Sequence, residues 1–227
     1  MSPVVRPKPT PVRPSQVLDL RRWKLTLPVG RSGHPTELRQ PALGSVTSGP
    51  HLRLTRDRGV AFRAPVGGTT TRNSSYPRSE LREMSADGRR EAGWTNARGR
   101  HAMTITQAIT ATPRAKPHVV AGQIHDAEDD ILMIRLEGRR LFVESNGDDV
   151  GVLDPRYRLG TRFTVAIVAT PSGVRVTYNT ARTVDLPKVG RGWYFKAGCY
   201  PQSNPERGDS PNAFGEVVIY TLTVSHT

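Results

Sequence analysis

The chain has 227 residues, 36% of them hydrophobic, enough for one large domain or two small ones and too much for wholesale disorder. No apolar run approaches the ~20 residues of a membrane-spanning helix, and a single cysteine, Cys199, excludes an intrachain disulfide and any multi-cysteine zinc site. The net charge is +13, and 28 of the 33 basic residues are Arg, whose planar fork suits carboxylates and phosphates, so a polyanionic partner is admitted beside the plain reading of codon usage in a GC-rich genome.

Residues 1–16 carry five prolines and no apolar period, which reads as a linker or boundary. No apolar stretch of signal-peptide type follows Met1. A single folded domain is expected over 17–227. Its predicted strands follow in chain order: Arg78–Glu83, His101–Thr110, Val119–His125, and two short strands within Ile131–Ser145 around Glu137-Gly138-Arg139. Next come Phe163–Thr170 and Val174–Thr180, joined by a Pro171-Ser172-Gly173 hairpin turn, then Trp193–Gln202 and the long terminal strand Gly215–His226. No stretch of ten residues has a 3.6-residue period. The expected class is therefore all-β, a sandwich or barrel, without internal repeats and without a mid-chain linker to divide it.

Three of these strands place reactive groups on one face, because residues i, i+2 and i+4 of a strand point the same way. In the first, Arg78, Glu80 and Arg82 share a face and Leu81 takes the other. A carboxylate between two guanidiniums can hold both forks and leave donors free for an anionic ligand, although a solvated face of ion pairs has the same pattern. In the second, Gln123 and His125 share a face, with Val120 and Ile124 opposite. In the third, Tyr194, Lys196, Gly198, Tyr200 and Gln202 share a face, and Phe195, Ala197 and Cys199 point inward. Gly198 is expected to leave room for a ligand between Lys196 and Tyr200, and Pro201 to mark an edge or strand end. Each segment has a plain packing explanation; together they offer Arg, Glu, Gln, His, Lys and Tyr on one concave surface.

Those segments, RSELRE, QIH and YFKAGCYPQ, resemble the three signature segments of the polysaccharide lyase family 7 alginate lyases. The opening LDLRRWKLTLPVG and the closing GEVVIYTLTVSH are also similar to that family's ends, so the resemblance spans Val17 to His226. Pro201 departs from it, since many relatives have Asn between the tyrosine and the glutamine. The resemblance implies a β-jelly roll of two antiparallel sheets with a substrate cleft on the concave one. It implies an endo-acting lyase that opens alginate by β-elimination, with another polyuronate such as glucuronan, or a non-catalytic carbohydrate-binding jelly roll, as alternatives. Arg78 and Gln123 would hold and neutralise the uronate carboxylate. His125 and Tyr200 would serve as base and acid, and Glu80, Arg82, Lys196 and Gln202 would line the cleft. The Ile of QIH goes, in relatives, with action on guluronate-containing blocks.

The chemistry accounts for those groups. Removing the proton from C5 of a uronate builds charge into its carboxylate, so that charge must first be countered, and Arg and Gln can do so without a metal or other cofactor. A base must reach C5–H, and an acid must protonate the departing O4. Lys196 is expected to supply the positive field beside Tyr200, and nearby positive charge to keep His125 neutral. Asp126, Glu128, Asp129 and Asp130 do not match a calcium-loop spacing and read as a loop at the rim. The Gly/Thr/Ser-rich stretch 66–76 reads as a lid or a plain surface loop. The partner expected is an acidic polysaccharide, not nucleic acid or a membrane. A polymer too large to enter a cell implies a secreted protein, and the protein is expected to be a monomer.

Overall fold

The computed structural model describes residues 13–227. Fifteen strands run in chain order among them: β1 (Trp23–Arg31), β2 (His34–Leu38), β3 (Leu52–Leu54), β4 (Val60–Pro65), β5 (Ser79–Glu83), β6 (His101–Ala111), β7 (His118–His125) and β8 (Asp130–Glu137). They continue with β9 (Arg140–Ser145), β10 (Asp148–Asp154), β11 (Phe163–Thr170), β12 (Gly173–Tyr178), β13 (Arg182–Leu186), β14 (Tyr194–Pro201) and β15 (Phe214–His226). Among the described residues, helix is confined to one α-turn, Ala42–Ser45, and two 3-10 turns, Pro14–Gln16 and Pro205–Arg207.

The strands form two antiparallel sheets. One has eight strands in the order β10-β9-β8-β7-β14-β5-β1-β2, and the other has seven in the order β13-β12-β11-β6-β15-β4-β3. The core lies between them. Leu25, Leu81, Ala197 and Ile124 enter it from the eight-stranded sheet, and Met103, Ile105, Ile167 and Ile219 from the seven-stranded one, all with no exposed surface. Each such Leu, Ile or Met side chain contributes roughly 1.5–3 kcal/mol by leaving water, and this burial locks the register, since a one-residue slip would put every core residue outside.

Local chemistry sets the turns. The β9–β10 hairpin turns on Asn146 (φ 53°) and Gly147 (φ 84°), the residue pair that a primed two-residue turn favours. The Pro171-Ser172-Gly173 turn joins β11 to β12 where the sequence places it, and Glu137-Gly138-Arg139 links β8 to β9. Residues 1–12 of the Pro-rich stretch lie outside the described residues. Pro14 is buried, and the Ser15 hydroxyl donates to the Gly44 carbonyl at 2.8 Å, so the chain is packed from there on.

Four neighbouring strands at the middle of the eight-stranded sheet, β7-β14-β5-β1, carry all three polar-faced segments. Register aligns them: Gln123 lies opposite Lys196, Lys196 opposite Arg82, and Arg82 opposite Lys24. One cross-strand row therefore presents three cations and an amide on the face away from the core.

Candidate active site

Glu80 is the centre of the arrangement and is 1% exposed. Its carboxylate takes the Lys196 ammonium at 2.8 Å, an Arg78 Nη1–H at 3.1 Å, and a short bond from the Gln123 amide. Burial raises the Glu80 carboxyl, but the charges of Lys196 and Arg78 outweigh it and hold the group below the ordinary carboxylate range. Two cations share this one carboxylate. Burial, then repulsion from Arg78, bring Lys196 down to about 8. Arg78, Glu80, Gln123 and Lys196 thus interlock as one buried unit, and the carboxylate aims the cations and the amide rather than facing a ligand alone.

Tyr200 lies at one side of that unit. The Arg78 guanidinium carbon sits 3.8 Å from the centre of its ring, close enough for cation–π attraction, and its hydroxyl is 2.9 Å from Ser74 Oγ. The cation against Tyr200 is therefore Arg78. Lys196, to which the strand pattern assigned that place, is turned to Glu80.

His125 lies at the other side, at the end of β7. Its Nδ1 is 2.6 Å from the Asp126 carbonyl, which can only accept, so Nδ1 carries the proton and Nε2 the lone pair. The ring stacks on Tyr194 at a centroid distance of 5.6 Å, with the Tyr194 hydroxyl 3.2 Å from Nδ1. Burial first, and the Lys196 charge second, lower the His125 pKa and favour the neutral base. The sequence reading reached the same protonation state through positive charge, which is the smaller of the two causes.

Arg82 stacks over Tyr194 at 3.9 Å and pairs with Glu91 at 3.2 Å. Lys24, 7% exposed, bonds Glu37 and Glu91. With Thr26, Thr71, Tyr194 and Lys196 these residues line an open groove of about 390 Å³. Gln202, expected at the cleft, makes no side-chain bond to this cluster; its backbone N–H donates to His118, and its amide nitrogen is buried without a partner among the described residues.

Gly198 corrects a second expectation. Its φ is +141°, and a Cβ there would lie 2.6 Å from the Ser79 carbonyl oxygen and 2.9 Å from the Glu80 Cα. The register of β14 against β7 shifts between Ala197 and Tyr200, a bulge. Glycine is needed there for backbone conformation and the close approach of β5, not to open space for a ligand. Cys199 and Phe195 are fully buried as expected, and burial pushes the Cys199 thiol well above its ordinary value, which leaves it inert. Pro201 is the last residue of β14, a central strand, so it marks a strand end rather than an edge.

Strand alternation missed Ser74, Lys24 and Glu91, and gave Tyr194 a place on the face but no role. Tyr194 was legible, because it shares the face of Lys196 and Tyr200. Lys24 sits in a run, WKLTLP, whose apolar residues hide its face, and Ser74 lies in a loop with no period to read. In the acidic stretch, Asp126 accepts from the Glu128 and Asp129 backbone N–H groups at 2.9 Å, which is turn chemistry.

A family model described as alginate lyase matches residues 18–226. This chain belongs to the alginate lyase family. It is 49% identical to an alginate lyase of polysaccharide lyase family 7 whose structure superposes with a TM-score of 0.92, covering 95% of this chain and 99% of that one. An alginate lyase from Corynebacterium sp. is 40% identical at a TM-score of 0.89, over 95% and 98% of the two chains. A third structure, 27% identical at a TM-score of 0.78 over 96% and 98%, is a family 7 alginate lyase in which a His is replaced by Asn and a Tyr by Phe, in complex with substrate. The fold is the family's β-jelly roll, and the protein is a polysaccharide lyase acting on alginate.

Proposed function

We propose that this alginate lyase is endo-acting and cleaves by β-elimination, with Arg78, Gln123, His125 and Tyr200 as its working groups. The observation that carries this reading is the buried Glu80 unit, which presents donors between a neutral imidazole on one side and a phenol on the other. The uronate carboxylate binds against the donors of Arg78 and Gln123 that Glu80 leaves unused. A guanidinium has five N–H groups and an amide has two, so both can serve Glu80 and substrate together. Charge that develops in the carboxylate as C5–H breaks meets donors already in place, the arrangement that lowers such barriers most.

His125 Nε2 takes the C5 proton. The electron pair forms the C4–C5 double bond, the C4–O4 bond breaks, and O4 leaves with the Tyr200 proton. Guluronate and mannuronate present C5–H on opposite faces relative to O4. His125 therefore serves guluronate, and Tyr200, on the other side of the Glu80 unit, serves both. The open groove, with Lys24, Arg82 and Lys196 in one row, suits a polyanion bound along its length and supports internal cleavage. We further place the protein outside the cell, where the polymer is, and working as a monomer, because one chain supplies every group named.

The test is absorbance of the unsaturated product on polyguluronate, polymannuronate and glucuronan, with product length followed in time. Tyr200→Phe should lower kcat by ~10²–10⁴ on both alginate blocks, the usual worth of a positioned acid or base. His125→Ala should do so mainly on polyguluronate. Near-normal turnover of Tyr200→Phe on every substrate would remove Tyr200 from the chemistry. Monomeric product from the earliest times would remove the endo mode.

A further inference from the structure

The hydroxyl of Ser74 has four neighbours at bonding distance, and their chemistry leaves little choice in how its proton is used. The Arg78 Nη2–H group, at 3.1 Å, and the Tyr76 backbone N–H, at 3.1 Å, can only donate. The Tyr76 carbonyl, at 3.0 Å, can only accept. The Tyr200 hydroxyl, at 2.9 Å, can do either. A serine hydroxyl has two lone pairs and one proton. The two obligate donors fill both lone pairs, so Ser74 has no capacity left to accept from Tyr200. Its single proton goes either to the Tyr76 carbonyl or to the Tyr200 oxygen.

We propose that Ser74 is a positioning residue for Tyr200: it denies the phenolic proton a resting partner, leaves it aimed into the cleft, and donates to the phenolate once that proton has gone. This rests on the reading of Tyr200 as the acid at O4. The hydroxyl is a rotor between two acceptors 126 and 2 residues away in sequence. While Tyr200 is a phenol, the Ser74 proton rests on the Tyr76 carbonyl. When Tyr200 passes its proton to O4, the C4–O4 electron pair becomes the new O4–H bond and a phenolate remains. The Ser74 proton turns to that oxygen, and Arg78, bonded to Ser74 and stacked on the ring, supports the same charge twice.

The loop is held well enough for this. Ser74 N–H donates to the Thr71 carbonyl at 3.0 Å, the Asn204 amide donates to the Ser75 carbonyl at 3.2 Å, and the Lys116 ammonium donates to the Tyr76 hydroxyl at 3.1 Å. A segment that composition alone would call a lid or a plain surface loop thus supplies a hydroxyl to the site.

An isosteric pair tests it. Ser74→Thr keeps the hydroxyl, and Ser74→Val keeps the shape of threonine without it. Ser74→Val should lower kcat by about 10²-fold with KM little changed, as for loss of one donor to a developing oxyanion, and Ser74→Thr should restore most of it. The phenolate absorbance assigned to Tyr200 by difference against Tyr200→Phe should appear about one pH unit higher in Ser74→Val than in Ser74→Thr. A purely structural serine would move KM or the melting temperature and leave that difference titration in place. Equal kcat and equal titration in the Thr and Val variants overturns the inference while leaving the role of Tyr200 intact. An active Tyr200→Phe enzyme overturns the acid role, and the titration then still decides whether Ser74 bonds the phenolate. Should the valine variant fail to fold, Ser74→Ala provides the same comparison.

Discussion

Replacing Glu80 by Gln keeps the shape of the side chain and removes the one negative charge that two buried cations share. Glu80 is 1% exposed, with the Lys196 nitrogen at 2.8 Å and an Arg78 nitrogen at 3.1 Å. Removing one partner of a buried ion pair costs about 3–5 kcal/mol, because a charge is left without compensation. In a domain of this length that lowers Tm by on the order of 10 °C. Lys196 limits the loss. Burial and Arg78 already hold it at about 8 instead of 10.5, and Glu80 is the neighbour that supports its charge. Without Glu80 that support is lost and its pKa falls further, which eases release of the proton.

A lysine held below its unfolded value binds fewer protons folded than unfolded, so stability rises with pH between about 8 and 10.5 in the parent protein. In Glu80→Gln that window extends to lower pH, so the deficit should be largest near pH 6 and shrink toward about pH 9. Thermal melts of both proteins across that range measure it. The double variant Glu80→Gln/Lys196→Met, which leaves Arg78 as the only charge, should recover more than half of the loss at neutral pH. A Glu80→Gln protein that melts with the parent at every pH would refute the picture of a carboxylate holding two cations in place.

Three further outcomes follow from the same geometry. Burial and Lys196 lower the His125 pKa, so the acid limb of kcat/KM on polyguluronate should lie below the ordinary imidazole value of 6.5, and a limb at or above 6.5 contradicts a buried neutral base. Gly198→Ala must place a Cβ 2.6 Å from the Ser79 carbonyl at φ +141°; it should cost ~1–3 kcal/mol or more in urea unfolding and reduce turnover through the displaced Tyr200, whereas a neutral result rules out the bulge as a constraint. Burial and Asp129 push the Asp130 carboxyl up to about 6, above its unfolded 3.8, so its contribution to stability is present below 3.8 and lost as pH rises through 6. Asp130→Asn should therefore raise Tm near neutral pH and give no gain at about pH 3, and an equal gain at both would mean the charge is not the cause.

The strand period of two makes much of this site readable from residues alone. Arg78, Glu80 and Arg82 on one face, with Leu81 buried behind them, follow from alternation, as do Gln123 beside Ile124 and Lys196 between Phe195 and Ala197. That rule is local: a pleat turns each side chain relative to its neighbours whatever the rest of the fold does. What alternation cannot supply is which strands are adjacent. The order β7-β14-β5-β1 arises from long-range pairing, and that order alone brings Lys24 into the row of Arg82 and Lys196, and Glu80 against groups 43 and 116 residues further along the chain. The same pairing turns Lys196 toward Glu80 rather than Tyr200, and makes Gly198 a requirement of backbone contact rather than of ligand space. Ser74 lies beyond any periodic reading, because an irregular loop has no fixed relation between sequence spacing and direction. Its contact with Tyr200 comes from the packing of the loop against β14, where Arg78 bonds Ser74 and stacks on Tyr200 and Asn204 holds the Ser75 carbonyl.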